Sequence, residues 1–405
     1  MPSVMPEGQP ALRDGSLPEQ ALADLPLRPL GIYIHVPFCT TRCGYCDFNT
    51  YTAAELGSEP GASRAGYVDA VIGELELAAR VLGPAALAVA TIFVGGGTPT
   101  VLPPDDLGRL ISAVRNHFGL APDAEVTTES NPESIDFAGL HRLRELGFNR
   151  ISFGMQSAMP HVLATLDRTH SPGRPLQAVT DARAAGFANI SLDLIYGTPG
   201  ESAGDWLESL DAALSVGPEH ISAYALIVED GTRLAARIRR GELPPPDEDD
   251  LADKYLIADD RFTAAGHTAY EVSNWSSSAA TRCRHNMGYW RSHHWWGIGP
   301  GAHSHVGGVR WWNLKHPQAY ASRLAAGLSP AQARELLSPQ QRRVERILLE
   351  LRLADGLSTS LLTTTEKRRL VGLVARRLAV VEDDMLILTR NGRLLADGVI
   401  RDLLD

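Results

Sequence analysis

Cys39, Cys43 and Cys46 stand in the run HVPFCTTRCGYCDF (35–48) at C-x3-C-x2-C spacing, and they are three of only four cysteines in 405 residues. Three thiolates on a cubane iron–sulfur cluster leave one iron open to another ligand. A structural zinc ion asks for four closed ligands, usually in pairs, and no second cysteine pair follows. A disulfide framework asks for an even, dispersed set in a secreted chain. The spacing therefore predicts a [4Fe-4S] cluster.

Other polar residues stand where they could hold a ligand beside it. Gly95, Gly96 and Gly97 precede Thr98-Pro99, and a glycine trio lets a ligand approach the backbone because no Cβ intervenes. Glu129, Gln156, Arg168 and Asp193 fall at or just beyond the ends of apolar runs. Singly each could be a cap or a surface residue. Together they would form a polar ring suited to hydroxyls, an amine and a carboxylate. The segment RCRHNMGYWRSHHWWGIGPGAHSHVGG (282–308) gathers five histidines, three tryptophans and Cys283 among many glycines. It reads either as a loop capping the fold or as a porphyrin surface, since flat aromatics stack on a macrocycle and histidine is a standard axial ligand.

The elements that must position these residues alternate. Strand patterns fall at 31–38, 90–96, 124–130, 150–156, 188–197 and 220–228, with helical patterns between them such as 67–82, 105–118, 137–147 and 205–217. Six strand–helix repeats predict parallel strands with right-handed crossovers, hence an open (β/α)6 barrel over 31–240. The candidate residues then sit at the C-terminal ends of strands, the face that carries chemistry in such barrels. GELPPPDEDD (241–250) opens a linker, and 241–335 reads as that linker, a helix and an aromatic-rich loop region. Residues 336–405 read as two helices, a short hairpin and a last helix, a small winged-helix-like α+β domain. Residues 1–30, rich in Pro, Gly and acidic residues, read as a disordered tail.

The strings YIHVPFC (33–39), YCDF (45–48), GGGTPT (95–100), ISFGMQS (151–157), DRTH (167–170) and LDLIYGTPGE (192–201) occur in order. In them the chain resembles the radical S-adenosylmethionine (SAM) superfamily. Within it the resemblance is to the family of the oxygen-independent coproporphyrinogen III oxidase, on its HemW-type haem-chaperone branch. It covers about residues 30 to 400. It implies that the cysteines hold a [4Fe-4S] cluster and that SAM lies against Tyr33, Tyr45, Gly96, Gly97, Thr98, Glu129, Gln156, Arg168 and Asp193. The oxidase has a fourth cysteine two residues after the third, and the family treats it as needed for decarboxylation; here Phe48 stands there. HNMGYW (285–290) matches the chaperone branch's HNxxYW motif, which makes His285 the first candidate haem ligand and Cys283 the second. The implied function is haem binding and delivery to acceptor haemoproteins, respiratory enzymes among them, with the oxidase as the alternative.

Composition bounds the partners. With 38 Lys+Arg against 48 Asp+Glu the net charge is −10, which argues against a nucleic-acid-binding role for the winged-helix-like end. No apolar run is long enough to span a membrane, so contact with membrane-bound haemoproteins would be peripheral. An oxygen-sensitive cluster and few spare cysteines fit a reducing cytoplasm.

Overall fold

The computed structural model describes residues 8–56, 64–85 and 87–405. Thirteen strands of one sheet follow in chain order. They begin with β1 (Gln9–Pro10), β2 (Leu30–Val36), β3 (Val89–Gly96), β4 (Leu120–Ser130), β5 (Arg150–Gln156), β6 (Ile190–Tyr196) and β7 (His220–Ala225). They continue with β8 (Thr268–Ala269), β9 (Asn274–Ser276), β10 (His294–Ile298), β11 (His303–Val306), β12 (Val309–Asn313) and β13 (Ala331–Leu336). The order across the sheet is β1-β13-β12-β11-β10-β2-β3-β4-β5-β6-β7-β9-β8.

The central run β2 to β7 is parallel throughout, as the six strand–helix repeats require. Strand β5 shows why it curls around a chamber. Its outward residues Ile151, Phe153 and Met155 are buried in the core, while Arg150, Ser152, Gly154 and Gln156 alternate with them and line an internal cavity. Period-2 alternation thus puts apolar residues under the helices and polar ones inside. Helices Arg64–Leu82, Pro104–Phe118, Phe137–Glu145, Arg174–Ala184 and Ala203–Ser215 supply the outer layer. Val68, Leu75 and Leu82 of the first are buried, on the face its helical spacing predicts.

Two expectations are corrected. The aromatic segment is not a loop region: it forms a helix, Arg284–Trp290, and the strands β10, β11 and β12. Strand β10 pairs in parallel with β2, His294 opposite Leu30, and β11 to β13 continue the sheet antiparallel. Nor are residues 8–30 a disordered tail. Gln9 and Pro10 pair with Arg334 and Ala333, and Ala21 and Leu25 are buried in the main core. The contacts that order this segment come from the far end of the chain. Residues 1–7 of the expected tail lie outside the described residues.

The C-terminal part has its own small core of Ile347, Leu351, Leu357, Leu373, Leu386, Val399 and Leu403. Helices Pro339–Glu350, Thr364–Ala375 and Ala396–Leu404 surround a three-stranded sheet containing the expected hairpin, Ala379–Glu382 with Met385–Leu388. Arg390 ties it to the helix Glu248–Ala264 through Asp259 at 2.8 Å and Asp260 at 2.6 Å.

Candidate functional site

The cysteines lie on the loop that leaves β2. Its start is fixed by Cys39 N–H donating to the Tyr51 carbonyl at 3.0 Å and Tyr51 N–H to that of Pro37 at 2.7 Å. Its end is fixed by Asn49, whose side-chain amide donates to the carbonyls of Pro300 at 3.0 Å and Lys315 at 2.8 Å. Thr98 donates to the Cys39 Sγ at 3.8 Å and Arg168 to the Cys43 Sγ at 3.5 Å. Burial pushes the Cys46 thiol up to about 11 and raises that of Cys39, so both hold their protons until a cation favours the thiolate.

Among the described residues no group of three or more His, Cys, Asp and Glu side chains is gathered as a single metal ion would require. The three cysteines instead border one cavity. A cluster in which each sulfur meets a different iron fits that arrangement better than one ion does. The neighbouring turn leaves room for it: a Cβ on Gly97 would lie 3.0 Å from the Cys39 Sγ and 2.5 Å from the Phe38 carbonyl oxygen. Gly96 has φ +109°, a conformation that side chains rarely adopt.

That cavity has a volume of about 940 Å³, and Tyr33, Tyr45, Gly96, Gly97, Thr98, Glu129, Gln156, Arg168, Asp193, Cys283 and His285 line it together with the three cysteines, whereas Gly95 stands behind that wall. The Tyr33 hydroxyl lies 3.0 Å from Nδ1 of His35. Tyr45 packs beside the cysteines against a small cluster containing Val162, Leu166 and Ile195. The Glu129 carboxylate accepts the Gly96 N–H at 3.1 Å. Burial, with Asp193 nearby, pushes Glu129 up to about 8. Asp193, raised by burial, accepts the Ser152 hydroxyl at 2.8 Å. Gln156 has φ +65° at an irregularity in the β5–β6 pairing. Arg168 spans the wall, donating to the Gly154 carbonyl at 2.8 Å and to Nδ1 of His170 at 3.2 Å.

The opposite end, at the strands' N-terminal side, is stoppered by the helix Arg284–Trp290. Glu125 on β4 accepts the N–H groups of Arg284 and His285, both at 2.9 Å, and so caps this helix from another element. His285 Nδ1 lies 2.8 Å from the Thr91 hydroxyl and Nε2 lies 2.8 Å from that of Tyr289. Its ring stacks on Phe93 at 5.4 Å, and burial lowers it to about 3. With both nitrogens engaged, His285, the first candidate haem ligand, could ligate an iron only if one of these bonds opened. Cys283 is also buried here, its thiol pushed up to about 12 by burial. Of the other histidines, His294 and His305 are bonded to the backbone at Asp24 and His293, while Nε2 of His303 is buried without a partner in the cavity wall.

Sequence reading missed two charges at this closed end, Glu125 and Arg150. The available signal was inward parity on β5, which puts Arg150 on the same face as Gln156. At the open end, Phe48 is 48 % exposed, Tyr224 44 % and Ile227 68 %, all on the cavity's border. Two aromatic side chains and one aliphatic one thus border the mouth of a polar chamber. Phe48 sits where it can screen the cluster loop from solvent.

Comparison with known proteins agrees with this geometry. The profile of the Radical SAM superfamily matches residues 33–213. The heme chaperone HemW of Mycobacterium tuberculosis is 52 % identical over 95 % of this chain and 97 % of its own. HemW of Bacillus subtilis is 33 % identical, covering 91 % and 97 %. Among solved structures, the Escherichia coli radical SAM enzyme coproporphyrinogen III oxidase, HemN, superposes with a TM-score of 0.81 at 23 % identity. It covers 95 % of this chain and 92 % of that one, a likeness of fold.

Proposed function

The chain belongs to the HemW family of radical SAM proteins, and on that premise we propose that it is a haem chaperone that receives haem and passes it to proteins that require it. The family implies a [4Fe-4S] cluster and SAM. Cys39, Cys43 and Cys46 would hold the cluster, which when bound and reduced would supply the electron for SAM chemistry. The chain's own part is positioning. The glycine turn and Glu129 receive the amino-acid end of SAM, Gln156, Arg168 and Asp193 take its polar groups, and Tyr33 and Tyr45 close the walls.

The observation that carries the chaperone reading is Phe48. The oxidase's fourth thiol is replaced by a half-exposed ring at the cavity mouth. A ring there cannot donate a proton or ligate a metal, but with Tyr224 and Ile227 it can lie against a porphyrin face. The likeness to the oxidase structure is one of fold and gives no ground for its reaction.

Among the described residues no helix is long and apolar enough to cross a membrane. The proposed setting is the cytoplasm, with membrane-bound haemoproteins met at their surface. The test is anaerobic. The cluster-loaded protein should bind haem, seen as a saturable change in the haem absorption spectrum, and should not convert coproporphyrinogen III. Turnover of coproporphyrinogen III under reducing conditions would overturn the chaperone reading in favour of the oxidase, and absence of haem binding would remove it.

A further inference from the structure

Arg150 opens β5 at the closed end of the cavity and is 2 % exposed. A buried guanidinium is ordinarily paired, because an isolated charge in a low-dielectric interior is costly. This one has no close ion-pair partner among the described residues: its Nε makes no hydrogen bond, and Glu125 and Asp193 act on its charge only from beyond salt-bridge distance. The acids nearest in charge are engaged elsewhere. Glu125 caps the helix Arg284–Trp290 and Asp193 holds Ser152. Burial works against the charge of Arg150, yet a guanidinium keeps its proton in proteins, and the acidic groups around it, Glu125 and Asp193 among them, raise its pKa. The side chain lines the cavity, so a ligand can reach it.

We propose that Arg150 anchors a carboxylate of a ligand that reaches from the cavity mouth down to its closed end, and that this carboxylate is a porphyrin propionate. The proposal rests on the haem-chaperone reading and gives it an orientation: the macrocycle enters edge-on with a propionate leading. The other available carboxylate is that of SAM itself. From Arg150 to Gln156 the strand rises about 20 Å, at ~3.3 Å per residue. SAM with its amino-acid end at the glycine turn therefore keeps its carboxylate near the cysteines, far from Arg150. A planar guanidinium suits a carboxylate in bidentate geometry.

The test compares haem with its dimethyl ester, which keeps the ring and removes both carboxylates. Titrations followed by absorbance use the cluster-loaded wild-type protein, Arg150→Gln and Arg150→Lys, with SAM affinity measured by calorimetry. Wild type should bind the ester about tenfold or more weakly than haem, as expected for losing a charge-assisted pair. Arg150→Gln should bind haem as weakly as wild type binds the ester and should not distinguish the two. Arg150→Lys should retain part of the preference, and SAM affinity should be unchanged in all three proteins.

The wild-type comparison needs no substitution, so a variant that fails to fold leaves the test intact. Equal binding of haem and ester by wild type overturns the anchor while leaving haem binding standing. Loss of SAM affinity in a folded Arg150→Gln protein with unchanged haem preference reassigns the carboxylate to SAM and overturns the propionate. No haem binding by wild type overturns the chaperone reading and the propionate together.

Discussion

His285 and Tyr289 are one helical turn apart, and the imidazole Nε2 of the first lies 2.8 Å from the hydroxyl of the second inside the closed end of the barrel. With Thr91 on the other nitrogen, the motif HNMGYW acts as a fastening between a stopper helix and the barrel wall. His285→Ala would leave the buried Thr91 hydroxyl and the half-buried Tyr289 hydroxyl without this partner, at roughly 1–3 kcal/mol each. The expected outcome is a stability loss of about 2–4 kcal/mol in denaturant unfolding, with the spectrum of bound haem unchanged. A shifted haem spectrum in a stable His285→Ala protein would return the residue to the ligand role expected from sequence.

Cys46→Ala should lose the cluster chromophore and most of its iron after anaerobic reconstitution. Cys283→Ala should keep both, because Cys283 lies beside Glu125 at the opposite end of the cavity from the cysteine loop. Iron analysis and the visible spectrum of the two variants decide the matter.

Gly95 is the position at which to test the SAM cradle. A Cβ on Gly96 would lie 2.5 Å from the ring of His35, which is fully buried and bonded to the Asn49 carbonyl, so a substitution there strains the fold as well. A Cβ on Gly95 would press on the Glu129 carboxylate, 2.9 Å away, and on the Phe93 ring. Gly95→Ala should weaken SAM binding by about tenfold in calorimetry, the loss of roughly one charged hydrogen bond. Its cluster content should match wild type.

Glu129 carries a pH signature. Its folded value of about 8 exceeds the ordinary carboxylate value of 4.5, so the folded protein holds a proton that the unfolded chain releases between those values. Stability should be unaffected by this group below pH 4.5 and should fall as pH rises to about 8, at a cost on the order of a few kcal/mol once the carboxyl is ionised. Glu129→Gln should flatten that decline. A cationic ligand beside Glu129 favours the ionised form, so SAM binding at pH 7 should release up to about one proton. Calorimetry in buffers of different ionisation enthalpy measures it, and SAM binding with no proton release would contradict it.

The barrel strands were legible because each is an apolar run bounded by turn residues, and because the inward polar positions recur at period 2. Arg150 and Glu125 were not: each stands at or next to the start of its expected strand (150–156 and 124–130), where a charge looks like a cap until the curvature of the sheet turns it inward. The segment 282–308 hid its strands for a different reason. Glycines and histidines dilute the β pattern, and β10 finds its partner β2 more than 260 positions earlier in the chain. Residues 8–30 misled in the same way, since their order comes from β13 and from a core assembled by residues far downstream.

Asn49 grips Pro300 and Lys315 across separations of 251 and 266 residues, so the loop bearing the cysteines is tied down by chain made much later. At roughly 5–20 residues per second, synthesis leaves the three thiols without that tether for about 10–50 s. Iron–sulfur loading is therefore expected to be an event of the finished chain, with the nascent thiols dependent on a reducing surrounding until then. A chain ended before residue 294, lacking β10 and everything beyond it, should expose its cysteines to alkylation and retain no cluster on reconstitution.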